Sequence, residues 1–166
     1  LEAGVEYRNE DENDQGRFVD SQGLPQNHYG DQTVSINTTG PFLQNTTEFF
    51  DRVVTTVGLR HDNVNYDFND TSFPAILPEW GYDDTTMQVG TVLKLHKQAD
   101  LYWNFSEGFK TPSISELFSV NFAGFGNTTL EPEESDSYEV GFRVREAGPF
   151  SGNISFFNID LKNEIL

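Results

Sequence analysis

Leu101-Tyr102-Trp103-Asn104-Phe105-Ser106-Glu107-Gly108-Phe109-Lys110-Thr111-Pro112 is followed by Glu116-Leu117-Phe118 and a glycine-rich passage. Then come Asn127-Thr128-Thr129-Leu130-Glu131-Pro132-Glu133 and Ser137-Tyr138-Glu139-Val140-Gly141-Phe142-Arg143-Val144-Arg145. The pattern predicts a strand, a long loop opened and closed by prolines, and a second strand. In the second strand Tyr138, Val140, Phe142 and Val144 alternate with Glu139, Gly141, Arg143 and Arg145, which puts apolar groups on one face and charges on the other. Two all-β architectures fit: a soluble sandwich whose charged face meets water, and a membrane barrel with lipid outside and a wet lumen.

Composition narrows the function classes. The 166 residues include no cysteine, so there is neither a disulfide nor a thiolate metal site. Acidic residues number 27 against 10 basic ones, a formal charge of -17, and no basic cluster is present to neutralise a phosphate backbone, which argues against nucleic acid. No signal peptide opens the chain at Leu1-Glu2-Ala3-Gly4. No apolar run is long enough for a membrane helix, which leaves spanning by strands open.

Working outward, Leu1–Arg8 reads as a short strand and Asn9–Gly40 as a long polar loop. Phe42–Phe50 reads as a strand of unclear facing, Asp51-Arg52 as a tight turn, and Val53–His61 as a strand with Val53, Thr55, Val57 and Leu59 on one side. Asp62–Asp84 reads as a second long loop. Thr85–His96 is a strand, Lys97-Gln98-Ala99 a short connection, and Asp100–Ser106 the strand quoted above. Glu107–Glu134 is the third long loop. Ser135–Glu146, the turn Ala147-Gly148-Pro149 and a strand from Phe150 to about Leu161 complete the order.

Connections thus alternate long and short, as membrane barrels sort their outer loops from their periplasmic turns. The strands run about 8 to 12 residues, close to what a tilted strand needs to cross a bilayer; sandwich strands are usually shorter. Seven strands is an odd number where single-chain barrels have even counts, so the chain is expected to be a segment of a larger barrel. Glycines recur mid-strand on the polar face, in Ala3-Gly4-Val5, Val57-Gly58-Leu59, Val89-Gly90-Thr91 and Val140-Gly141-Phe142. Glycine weakens a strand unless something approaches closely, and a body filling the lumen is the expected neighbour.

The central stretch resembles the TonB-dependent outer-membrane receptors of Gram-negative bacteria. The resemblance rests on Phe109-Lys110-Thr111-Pro112 with Glu116-Leu117-Phe118, on Asn127 to Glu133, on Tyr138-Glu139-Val140-Gly141, and on Gly58-Leu59-Arg60-His61-Asp62. It covers most of the chain from Pro41 onward. Thr128, Lys110 and His61 depart from that family's usual proline, arginine and tyrosine. The resemblance implies about seven antiparallel strands of a 22-stranded transmembrane β-barrel, residues 1–166 being one partial barrel domain without the plug and the terminal strands. It also implies a receptor in the cell outer membrane that imports a ferric siderophore, a ferric-citrate-like complex or another small nutrient. Import would be energised by TonB through the absent plug, with outer-membrane lipid around the barrel. Haem is disfavoured, because Ser113–Gly126 contains no histidine.

Candidate ligand-binding residues are Trp80, Tyr82, Phe122 and Phe125 in the long loops, Phe109 and Lys110 in the loop motif, and Arg60 and Arg143 on the polar face. Tyr29 and Phe73 are further loop aromatics, and Lys94, Glu139 and Arg145 further polar-face residues. Pro112 fixes φ and biases Thr111 away from helix, so the same motif has a structural reading as the setter of the loop's exit angle. Asp11 to Gly16 looks like the start of a calcium loop, but Gln22 stands where the bidentate glutamate belongs, and a solvated acidic loop is the expectation. His28, His61 and His96 lack metal-ligand spacing. Glu131, Glu133 and Glu134 sit beside a proline without the defined opposition of a catalytic carboxylate pair, so no catalytic residue, metal or cofactor is assigned. The alternative function is a soluble secreted β-sandwich that binds carbohydrate or protein.

Overall fold

The structure, a computed structural model, describes the backbone of residues 1–19, 25–70, 80–113, 116–117, 129–147 and 149–164, and the side chains of 1–11, 34–67, 80–113, 116–117, 129–145 and 149–164. Seven strands form one sheet in sequence order: β1 (Glu2–Val19), β2 (Pro25–Phe49), β3 (Val53–Asp70), β4 (Trp80–His96), β5 (Ala99–Lys110), β6 (Glu133–Ala147) and β7 (Phe150–Lys162). The strands are antiparallel, and the short turns between β2 and β3, β4 and β5, and β6 and β7 require it there. The chain divides into two compact units. The first is Leu1–Val5, Pro41–His61 and Asp84–Leu166; the second is Glu6–Gly40 and Asp62–Asp83.

The first unit carries the two-faced pattern. Leu93 pairs with Leu101, Trp103 with Val140, Leu101 with Phe142, Val140 with Phe156 and Phe142 with Ile154. Paired residues share a face, so these side chains make a continuous apolar surface across four strands. Asp100, Tyr102, Asn104, Glu139, Gly141 and Arg143 share the other face. A sandwich would cover the apolar face with a second sheet. Instead Phe156 is 70% and Val140 44% exposed, with Leu101, Trp103, Phe142 and Ile154 beside them. Six such side chains, partly exposed, would cost about 5–9 kcal/mol in water, comparable with the whole stability of a domain. The soluble two-layer sandwich is therefore set aside. This face matches the outward band of a membrane barrel.

Two expectations change. Most of Asn9–Gly40 and much of Asp62–Asp84 are strand rather than loop, since β1 runs to Val19, β2 begins at Pro25, β3 runs to Asp70 and β4 begins at Trp80. Asp11, at the head of the expected acidic loop, lies within β1 and accepts from Ser35 Oγ at 2.7 Å. Inside the second unit, Tyr7 Oη and Asn9 Nδ2 donate to Asn37 Oδ1 at 3.0 and 2.7 Å, and Asn37 Nδ2 donates to Asp67 at 2.9 Å. These side-chain ladders join strands in sequence that lacks apolar alternation.

The second change concerns the glycines. The space above each is taken by a neighbouring side chain: Phe42 over Gly4, Gln88 over Gly58, Asn104 over Gly90 and Tyr102 over Gly141. The wall closes over its own glycines, so no separate lumen body is needed to explain them. The turn expected at Asp51-Arg52 falls one residue earlier, at Phe50-Asp51, where Arg52 N donates to Phe49 O at 3.1 Å. Phe50 and Asp51 both have positive φ, 53° and 56°, the conformation of a tight two-residue hairpin. Phe42–Phe49 also acquires a definite facing. Gln44 accepts from Gln88 Nε2, and Glu48 pairs with Lys94, so Phe42, Gln44 and Glu48 stand on the polar face and Leu43 and Phe49 on the apolar one.

Candidate functional site

On the polar face of the first unit, hydrogen bonds bind three strands into one surface. Glu139 on β6 accepts from Tyr102 Oη at 3.1 Å and Asn104 Nδ2 at 3.3 Å on β5, and also from Ser155 on β7. Arg60 lies on this face too, where with Gln44, Gly58, Gln88 and Ser106 it lines a shallow depression.

Nearer the short turns, Asp100 is fully buried and both its oxygens are used. Arg143 Nη2 and Nε donate to Oδ2 at 2.9 and 3.3 Å, and Arg145 Nη2 donates to Oδ1 at 2.9 Å. The register makes this possible: Asp100 is the cross-strand partner of Arg143, and Arg145 N donates to Gln98 O at 2.7 Å. A carboxylate without access to water requires such paired donors.

At the other end of the same strands, Lys110 Nζ meets Glu133 Oε2 at 3.0 Å, and the two residues are register partners. Phe109, one residue earlier, pairs with Glu134 and therefore stands on the opposite face. Beyond Lys110 the chain makes a capped helical turn. Ser113 N and Oγ donate to Glu116 Oε2 at 2.6 and 2.8 Å, and the amides of Glu116 and Leu117 donate back to Ser113 O, both at 3.1 Å. This Ser-x-x-Glu arrangement is a capping box. The Ser113 amide, and then its hydroxyl, hold the Glu116 carboxyl below the usual carboxylate range. Pro112 and Leu117 are buried, so the proline motif anchors the start of the loop.

In the second unit Trp80 and Tyr82 come together with Tyr66. Ring centroids are 6.3 Å apart for Trp80–Tyr82 and 6.1 Å for Tyr66–Tyr82, both edge-to-face. Tyr66 and Val64 are buried, and the Trp80 indole nitrogen is a buried donor without a hydrogen-bond partner among the described residues.

Of the sequence-derived candidates, Trp80 and Tyr82 are thus neighbours, while Lys110 and Arg143 are not. They stand ten residues apart along the β5–β6 register, about 33 Å at strand rise. Phe122 and Phe125, with Tyr29 and Phe73, lie outside the residues whose side chains are described. Asp100, Tyr102 and Tyr66 were not singled out from sequence. Asp100 and Tyr102 become visible only through the β5–β6 register, which a long connection leaves open.

Over its whole length, residues 1–166, the chain matches the family described as "TonB dependent receptor-like, beta-barrel". It belongs to the TonB-dependent receptor family. Among curated relatives, the rhizobactin receptor of Rhizobium meliloti (strain 1021) is 24% identical over 141 residues of alignment, covering 68% of this chain and 19% of that receptor. A probable TonB-dependent receptor of Haemophilus influenzae is 29% identical over 125 residues, covering 63% of this chain and 13% of the relative. The chain therefore spans less than a fifth of the length of these relatives. Receptors of this family are outer-membrane β-barrel proteins of Gram-negative bacteria and are transporters rather than enzymes. The antiparallel sheet, with its apolar face and its hydrogen-bonded polar face, is a segment of that barrel. No helix among the described residues is long and apolar enough to cross a membrane, and a strand-built wall needs none.

Proposed function

We propose that this chain supplies wall and surface loops to an outer-membrane receptor that imports a ferric siderophore or a similar iron complex, energised through TonB. The observation that carries the reading is the division of one sheet into an uncovered apolar face and a hydrogen-bonded polar face, in a chain that matches the receptor barrel family throughout. In this reading Val140, Phe142, Ile154 and Phe156 face lipid, and Arg60, Lys94, Glu139 and Arg143 face the lumen. The siderophore receptor among the relatives supports iron as cargo. The ferric complex is a transported ligand and not a resident cofactor. The plug that TonB engages belongs to polypeptide outside residues 1–166.

Trp80 and Tyr82, half-buried and packed edge-to-face above the buried Tyr66, are the proposed aromatic contacts for ligand from outside. Lys110 and Arg60 are proposed as cationic contacts for an anionic complex. Deletion of the full-length gene, followed by growth on a panel of ferric complexes under iron limitation, tests the reading. Loss of growth on one complex, restored by the gene and weakened by Trp80→Ala, is expected. Unchanged uptake of every complex, or a full-length product recovered in the soluble fraction, overturns it.

A further inference from the structure

Along β7 the apolar side changes over. In the half next to the short turn, Ile154 and Phe156 lie on the apolar face, and Asn153 and Ser155 on the polar one. Beyond Phe156 the order is reversed. Asn158, Asp160 and Lys162 continue the face of Phe156, while Phe157, Ile159 and Leu161 continue the face of Asn153 and Ser155. The register with β6 runs unbroken from Val144 to Glu134, so no bulge causes the reversal. It comes from the sequence itself, where two phenylalanines stand side by side.

The level of the reversal gives it a meaning. At that height the apolar face carries the ring pair Phe105–Tyr138, with centroids 5.0 Å apart, and the next row on the same face is Glu107, Asp136 and Asp160. An apolar band that closes on aromatics and gives way to carboxylates marks a membrane boundary, and the long loops place it on the outer side. Phe157 pairs with Glu139 just below this boundary, and Ile159 and Leu161 pair with Ser137 and Ser135 beyond it. The stripe therefore lines the lumen at its outer mouth, on the side of the wall away from lipid.

Phe157, Ile159 and Leu161 are 74%, 53% and 60% exposed. A further strand paired with β7 would stand beside them and not over them, because paired residues share a face. The rows of Ile159 and Leu161 continue across β6 and β5 as Ser137 and Ser106, and as Ser135 and Gly108. The stripe is thus one strand wide beside a low floor of small residues. Lys110 stands on the same face two residues beyond Gly108, about 12 Å from Leu161 by strand spacing and rise. The three side chains offer an apolar patch on the order of 300 Å², the size of a functional patch. Each partner of a stable protein pair buries about 800 Å², so the patch suits a small molecule better than a folded partner.

We infer that this stripe binds the apolar arm, an alkyl or aryl group, of an amphiphilic ferric complex whose chelating head lies toward Lys110. A cation beside an apolar strip on one face is complementary to a molecule with an anionic head and an apolar arm. This inference rests on the import reading and narrows its cargo to complexes that carry such an arm.

The test uses the full-length receptor in outer membranes and matched pairs of ferric citrate-type, catecholate and hydroxamate complexes. One member of each pair is plain and the other bears an eight-carbon acyl arm. Uptake of radioactive iron is measured under iron limitation. In the class that is imported, the arm is expected to lower the half-saturating concentration by about tenfold or more. I159N/L161N should remove that advantage and leave uptake of the plain member unchanged. No advantage of the arm, or an advantage that survives the substitution, overturns this inference and leaves import standing. Uptake of neither member of any pair overturns the import reading itself, and this inference with it. A second measurement does not depend on a polar substitution. Residues 1–166 hold no native cysteine, so Ile159→Cys offers a thiol there to a membrane-impermeant maleimide added to whole cells. Labelling is expected without any complex, slowed by the arm-bearing member of the imported pair and not by the plain one. Equal slowing by both members, slowing by neither, or no labelling without a complex, as when a protein segment covers the stripe, overturns the inference.

Discussion

Gly141 offers the sharpest test of how the polar face is built. A Cβ placed there would lie 2.3 Å from Tyr102 Cζ and 2.4 Å from its Oη, so Gly141→Ala must drive the ring off the strand. The ring then loses its packing over Gly141, and its hydroxyl loses the 3.1 Å bond to Glu139. Because the atoms met are the far end of a side chain that can swing, the backbone need not move. The cost is that of overpacking and one charge-assisted bond, about 1–3 kcal/mol. It is offset by about 0.5–1 kcal/mol for replacing glycine within a strand. A net loss of about 1–2 kcal/mol is expected in urea unfolding of the full-length receptor in lipid vesicles. Tyr102→Ala removes the obstacle, so in that background Gly141→Ala should be neutral or stabilising, and the double-mutant cycle should show the coupling directly. Equal costs in the two backgrounds would refute the account of the glycine as a seat for Tyr102.

Val140→Arg, mid-band on the apolar face, should lower stability by about 2–4 kcal/mol at the bilayer midplane. Ser137→Arg, on the polar face three residues earlier in β6, should assemble normally; outer-membrane yield of the folded form separates them. Phe50→Asn with Asp51→Gly places turn-compatible residues at two positions of positive φ and should raise the unfolding free energy measured in urea by about 1 kcal/mol or more. Glu116→Ala breaks the capping box and should speed proteolysis of the 111–132 loop, at a local cost of about 1 kcal/mol, whereas Glu116→Gln keeps an acceptor for Ser113 and removes only the charge. The wild-type loop has a pH dependence of known sign. The Glu116 carboxyl is held below its unfolded value, so its stabilisation is complete above about pH 4–5 and is lost as pH falls through the folded value. Proteolysis at lowered pH with an acid-active protease should show this, and the Glu116→Gln loop should not.

Alternation in Tyr138 to Val144 and in Leu93, Leu101 and Trp103 was enough to establish an all-β fold with one apolar and one polar face, because lipid imposes a strict period of two wherever a strand meets it. That pressure stops where the strands leave the apolar band. Asn9–Gly40 carries no such signal and reads as loop, yet β1 and β2 continue through most of it. They are held by the Tyr7, Asn9, Asn37 and Asp67 ladder, whose partners are about thirty residues apart in sequence. The capping box was present in the letters Ser113 and Glu116, and its closure needed the geometry of the turn. The β5–β6 register was beyond reach from the letters, because a long connection leaves the pairing of two strands unspecified while a two-residue turn imposes it. From that register follow Tyr102 over Gly141, Asp100 beneath Arg143 and Arg145, and Phe109 on the face opposite Lys110. Composition and alternation thus determined that each strand has an apolar and a polar face, and the uncovered apolar side of the sheet decided that no second layer covers it. Tertiary structure alone decided which side chain meets which, since cross-strand contact depends on alignment, a property of two distant segments together.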